Sequence, residues 1–180
     1  MMINKTLYVQ NSLSMITSVD MHASQVICSL ASKTKHAAIL EVIDTCTIFS
    51  SLPDLERFKR AVFRREHIET TGIGHGVAIA HGKILGLDDV YVALGISKEG
   101  IAYDSIDGKP IHLLFVIASS PRTQLLYLKK LSKILQCARK ASIREAVEHL
   151  EIDDYSSFFS KMVNDEFPWL WKSTTAPTSL

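Results

Sequence analysis

Cysteine is scarce, and what there is has no pattern. Cys28, Cys46 and Cys137 are an odd number, and no two stand in C-x-x-C spacing. That excludes the usual zinc-binding spacings and argues against a disulfide framework in a chain long enough to build its own core. Reduced, buried thiols are expected. No apolar run reaches 18 residues, so no membrane-spanning helix is expected. Asn4, Lys5, Gln10 and Asn11 interrupt every early apolar stretch, so the hydrophobic region of a secretory leader is missing and a cytoplasmic location is expected. An excess of one charge is missing too. Lys and Arg number 20 against 19 Asp and Glu, whereas nucleic-acid binders carry a basic stripe or surplus. The basic clusters Lys59-Arg60, Arg64-Arg65 and Lys129-Lys130 are spaced as solvated helix faces. No nucleic-acid partner is expected.

At 180 residues and 47% hydrophobic, the chain suits one well-packed domain. Residues 1–24 read as a weakly patterned lead-in, 25–163 as the domain, and 164–180 as a tail holding Trp169 and Trp171. Gln25 to Leu30 is expected as a strand. Ser32 is placed as the cap of a helix from Lys33 to about Cys46, with Ala37, Leu40, Ile43 and Cys46 or Thr47 facing inward. A second helix starts at Ser51-Leu52-Pro53-Asp54, carries Leu55, Phe58 and Val62 on one side, and ends near Glu66. Strands are expected at 77–80, 90–96 and 111–118, with a short one at 101–103 and a turn at Asp107-Gly108-Lys109-Pro110. Ser119-Ser120-Pro121 opens a long helix with Leu125, Leu128, Leu131, Ile134 and Leu135 at helical spacing. Ser142-Ile143-Arg144-Glu145 fits a capping box, and Asp153 or Asp154 caps a last helix toward Val163. Helices and strands interleave, which gives a mixed α/β class with a central sheet flanked by helices on both faces.

The densest motif is Thr70-Thr71-Gly72-Ile73-Gly74-His75-Gly76-Val77-Ala78-Ile79-Ala80-His81-Gly82-Lys83. The alternate glycines allow positive φ and close approach by an outside group. The apolar run Val77 to Ala80 then delivers His81 to the end of a short strand. A histidine beside glycine amides and a lysine suits transient phosphate handling, since imidazole is a nucleophile near neutral pH and amides and cations hold anions. Other chemistries fail on spacing. A dinucleotide fingerprint needs glycine where Val77 stands, a Walker loop needs Ser or Thr where Ile84 stands, and G-x-S-x-G is absent. His75 and His81 lack the further ligands a zinc site requires.

From Arg65 to Lys83 the chain reads R-E-H-I-E-T-T-G-I-G-H-G-V-A-I-A-H-G-K. This resembles the phosphorylation motif of phosphotransferase-system IIA domains of the fructose and mannitol class, above all the nitrogen-regulatory IIA proteins. The likeness continues through Val92 to Ala118 and into Leu128 to Leu135, covering about 25–163. It implies the three-layer sandwich of that fold and a phosphotransferase-type phosphoryl carrier needing neither metal nor organic cofactor. It also implies that His81 accepts a phosphoryl group from an HPr-like histidine phosphocarrier protein and that Arg65 stabilises that group. Gly74, His75, Gly76, Glu66, Lys83 and Tyr127 are carried as site neighbours, Glu66 as a group that orients Arg65. The chain departs from the family in three places. Ala80 replaces a proline, His75 an asparagine, and Tyr127 aligns with a second histidine. The expected function is a stand-alone carrier with a regulatory output toward a protein target. The alternatives are a IIA domain that binds a partner without phosphorylation, and a sugar-transport IIA that passes phosphate to a separate IIB protein.

Overall fold

The computed structural model describes residues 25–138 and 140. Lead-in 1–24, the capping box at 142–145, both later helices and the Trp169/Trp171 tail lie outside the described residues. Five strands form one sheet in the order β1-β4-β5-β3-β2, where β1 is Ile27–Ser29, β2 Gly72–Gly74, β3 Val77–Lys83, β4 Tyr91–Ile101 and β5 Ile111–Ser119. β1 runs parallel to β4 and β3 parallel to β5, while β2–β3 and β4–β5 are antiparallel. The sheet is therefore mixed, and its faces are covered by different helices.

Helices α1 (Lys35–Thr45) and α2 (Leu55–Ile68) pack on one face. There Ile39, Val42, Ile43, Phe58 and Val62 meet Ala78, Ala80, Ala93, Leu114 and Val116 of the strands. Helix α3 (Gln124–Ala138) covers the other face, where Tyr127, Ile134 and Cys137 meet Val77, Ile79, Val92, Leu94, Phe115 and Ile117. Strand side chains alternate between faces, so each central strand serves both cores. All three cysteines are buried, and none is in a disulfide. No helix among the described residues is long and apolar enough to cross a membrane.

Several boundaries differ from expectation for identifiable reasons. Helix α1 begins at Lys35, with Thr34 and not Ser32 at the N-cap position and no side-chain capping bond. The Ala31 and Ser32 amides donate to the Glu41 carboxylate at 2.9 Å each, and Lys33 and Lys35 bond the backbone of Ala102, which holds this stretch extended. The same pairing leaves Ala102 as an isolated bridge to Thr34, with Ile101 closing β4, so no separate strand forms at 101–103. Inside α1 the inward set is Ala38, Ile39, Val42 and Ile43; Ala37 is exposed and Leu40 half-buried. Helix α2 is capped by Asp54, which accepts from the Arg57 amide at 2.8 Å, and runs two residues past Glu66. In α3 the buried residues are Tyr127, Ile134, Cys137 and Ala138, with Leu131 partly buried on the same face. Leu125 and Leu128 point away, at 78% and 48% exposure.

One packing detail positions everything that follows. The residues of β3 that face α2 are Ala78, Ala80 and Gly82, all small. A Cβ on Gly82 would stand 2.9 Å from Val62 Cγ2, 3.0 Å from the Val62 amide nitrogen and 3.1 Å from the Phe58 ring. Helix α2 therefore lies against β3 at a distance only glycine permits. We expect Gly82→Ala to lower stability by about 1–3 kcal/mol through overpacking, read from the denaturant midpoint. Val62→Ala should restore only part of that loss, because the amide nitrogen cannot be trimmed. An unchanged midpoint would show that the helix can back away freely.

Candidate functional site

His81 is the fifth residue of β3, not a residue beyond its end, because pairing with β5 continues to Lys83 opposite Ser119. It shares the α3 face with Val77 and Ile79 and is half-buried. Its Nδ1 lies 3.1 Å from the carbonyl oxygen of Ile79. A carbonyl only accepts, so Nδ1 carries the hydrogen and Nε2 keeps its lone pair. The Tyr127 ring of α3 is 5.9 Å from the imidazole, centroid to centroid, inclined by 47°. Lys83, two residues along the same face, places Nζ 2.9 Å from Gln124 Oε1 and 5.9 Å from the centre of the Tyr127 ring.

Helix α2 supplies the opposite wall. Ala61, Arg65 and Ile68 recur at helical spacing, and with Arg64 they face His81, Gly82 and Lys83 across an open cleft of about 360 Å³. The Arg65 guanidinium donates from Nη1 to the Glu69 carbonyl at 2.8 Å, which pins the side chain along the last turn of the helix. Burial lowers the pKa of His81 below its ordinary 6.5, the Ile79 carbonyl works against that shift, and the charges of Arg65 and Lys83 reinforce it while Glu66 opposes it. Tyr127 is pushed upward by burial, so it stays a neutral phenol.

Glu66 does not orient Arg65. It continues the inward stripe of Phe58 and Val62, and its buried carboxylate accepts from the Thr71 amide at 3.0 Å, from the Thr71 hydroxyl, and from Tyr103 at 3.4 Å. Lys35 lies 3.4 Å away. Glu66 thus ties the end of α2 to the approach to β2. Gly74, His75 and Gly76 are also elsewhere. They form the β2–β3 turn at the start of β3, with φ of 82°, 55° and 73°, and His81 stands four strand steps, about 13 Å, beyond Val77. The His75 amide donates to Asp107 at 2.8 Å, and the Gly76 carbonyl accepts from His112 and Leu113. These glycines shape a hairpin docked on β5. They are not a cradle at the histidine.

Of the residues expected at the site, His81, Arg65, Lys83 and Tyr127 come together, and Glu66 sits one residue behind the cleft wall. Gln124, Arg64 and Ile68 were not anticipated. Gln124 bonds a lysine 41 residues earlier in the chain, a pairing that no local pattern announces. Arg64 was legible only as part of a helix face, and Ile68 lay past the expected end of the helix. Among the described residues no group of three or more His, Cys, Asp or Glu side chains is placed to hold a metal ion. What the cleft offers is a nucleophilic nitrogen between fixed cations, suited to an oxyanion.

Comparison with known proteins gives this arrangement a family. The fructose-specific EIIABC component of the phosphotransferase system of Bacillus subtilis is 33% identical over 126 residues, 70% of this chain but 20% of that protein. The chain thus spans about a fifth of the length of that relative. The crystal structure of nitrogen regulatory protein IIA-Ntr from Neisseria meningitidis superposes with a TM-score of 0.61 at 26% identity, covering 76% of this chain and 94% of that one. The complex of IIA mannitol with phosphorylated IIB mannitol from Escherichia coli shares the fold, at TM-score 0.58 and 16% identity, over 77% of this chain and 95% of that one. The family model of the EIIA 2 domain of the phosphoenolpyruvate-dependent sugar phosphotransferase system matches residues 21–160, and the chain belongs to that family.

Proposed function

We propose that this protein is a phosphocarrier that receives a phosphoryl group on Nε2 of His81 from the phosphohistidine of an HPr-like carrier, and that its output is regulatory. The working unit is the domain at 25–163, with 1–24 and 164–180 as lead-in and tail, and its place of action is the cytoplasm. The observation that carries the reading is the convergence of Arg65 and His81 on one cleft with Nε2 left free. Likeness to a nitrogen regulatory protein and to a fructose-specific component supports the family role, and the former favours regulation.

The chemistry follows from the geometry. Nε2 attacks phosphorus and forms the new N–P bond. The donor's P–N bond breaks, and the donor imidazole leaves with the electron pair. The His81 ring gains positive charge as the bond forms, and its Nδ1–H···O=C bond to Ile79 meets that charge. A phosphoryl transfer of this kind has a loose transition state, so alignment and charge neutralisation supply most of the catalysis. Arg65 can grip two phosphoryl oxygens through its planar fork. Once loaded, the His81 surface changes by about two charge units, enough to alter which partner docks there. Tyr127, where the family carries a second imidazole, favours one competing reading, a domain that binds its target without being phosphorylated.

One measurement decides between these, and a second tests the desolvation of His81. Incubation with phosphorylated HPr should add one acid-labile phosphoryl group to the wild type and none to His81→Ala, by intact mass. Arg65→Ala should load about a hundredfold more slowly, from the loss of a bidentate charged contact. No loading of the wild type, together with equal capture of a target by wild type and His81→Ala, would establish the binding-only reading. Onward transfer to a IIB protein would assign a transport role instead. The second measurement is the pH dependence of stability. Because the folded pKa of His81 lies below 6.5, the unfolded chain binds its proton first as pH falls. The contribution of the neutral ring is complete above pH 6.5 and is lost as pH drops toward the folded value. An NMR titration should find a His81 midpoint below 6.5, and His81→Gln should flatten the stability curve just under that pH. A midpoint at or above 6.5 would contradict the desolvation argument.

A further inference from the structure

We propose that Lys83 is a second phosphoryl-holding cation of this site, presented to His81 by Gln124 and the face of Tyr127. The inference rests on the reading that His81 takes a phosphoryl group. A phosphoryl group brings close to two negative charges, and the Arg65 guanidinium offsets one. Alternation along β3 puts Lys83 on the face of His81, about 7 Å along the strand, and both side chains line the same cleft. Four other lysines of this domain are paired with carboxylates: Lys33 with Glu99, Lys35 with Glu66 and Asp104, Lys59 with Asp44 and Glu56, Lys130 with Asp89. Among the described residues no carboxylate pairs with Lys83. Its ammonium is held by a neutral amide oxygen at 2.9 Å and lies 5.9 Å from the centre of a neutral aromatic ring. Such partners fix its position and leave its charge for an incoming anion.

Arg64 also lines the cleft, from the α2 wall, whereas Lys83 stands on the same strand and sheet face as His81. Gln124 opens α3, so it places the ammonium beside the positive end of that helix, where a cation is disfavoured until an anion arrives. Tyr127 thus contributes as a platform. It positions a cation and carries none itself. Lys83 would contact the phosphoryl oxygens, while Gln124 and Tyr127 are positioning residues that act through it.

The test uses the full chain and phosphoramidate, a small donor that removes any dependence on partner docking. Nε2 of His81 forms the N–P bond, the donor P–N bond breaks, and ammonia departs. Loading is followed by intact mass and acid lability. Lys83→Gln should load about tenfold more slowly, and Lys83→Arg should recover most of the rate. Gln124→Ala should cost about threefold in the wild-type background and nothing further beside Lys83→Gln, since its effect passes through the ammonium. Lys83→Gln loading as fast as wild type, or Gln124→Ala slowing both backgrounds equally, overturns the assignment of Lys83 while leaving His81 as acceptor. A wild-type chain that phosphoramidate cannot load at all, under conditions that load free imidazole, removes the parent reading and this one together.

Discussion

The contact between α2 and β3 is the constraint on which the rest of the site depends. Ala78, Ala80 and Gly82 give β3 a flat face, and Phe58 and Val62 press into it. A helix held that close projects its flanking residues past the edge of the contact and over the strand's far side. Arg65 therefore reaches the cleft in which His81 stands, although the two side chains come from different elements and lean on different cores. Interiors are packed too densely for such a helix to slide without loss. The approach of α2 to β3, and with it the placing of Arg65 beside the His81 cleft, is thus set by two methyl groups and a missing side chain that carry no chemistry.

A second tie keeps the end of α2 in register with the sheet. The buried carboxylate of Glu66 accepts from the amide and hydroxyl of Thr71, and Thr71 in turn accepts the amide of Ile79 through its carbonyl. Ile79 is the residue whose carbonyl receives Nδ1–H of His81. A hydrogen-bonded route therefore runs from α2 through the β2 approach to the backbone that fixes the tautomer of the imidazole. Buried polar networks of this kind are costly when incomplete, so they hold a single arrangement when every member is satisfied. Residue 66 supports the ring from behind, and residue 65 faces it from the front.

The alternation of helices and strands and the helices on both faces were legible because periodicity and turn residues report them locally, whereas strand β2 and the strand directions were not, because distant backbone sets them. Phe58 and Val62 were correctly assigned to one side of α2, and Asp54 to its start. Errors arose where distant backbone overrode a local signal. Ser32 has the chemistry of a cap, yet Glu41 and Ala102 claim the backbone around it. Leu125 and Leu128 fit a helical stripe, but the neighbouring stripe led by Tyr127 is the one that buries. The glycine run was the most misleading feature. Its sequence proximity to His81 suggested an anion cradle, whereas an extended strand carries residues apart as fast as any structure can. Gly82, which lacks an obvious signature, matters more to the site than Gly74 or Gly76.

Electrostatics explains why a partly buried histidine suits the proposed role better than an exposed one. An imidazole in open solvent is part protonated near neutral pH, and a protonated ring has no lone pair for phosphorus. Burial disfavours the charged form, and the flanking cations disfavour it further, so the ring waits as a nucleophile. The same cations become attractive once a dianion occupies the cleft they line. On the proposed reading one arrangement of charge serves both states, repelling a proton from the empty site and holding the oxyanion in the filled one. A neutral aromatic side chain at position 127 fits this logic, since a titratable ring there would couple its own protonation to that of His81 and divide the midpoint between them.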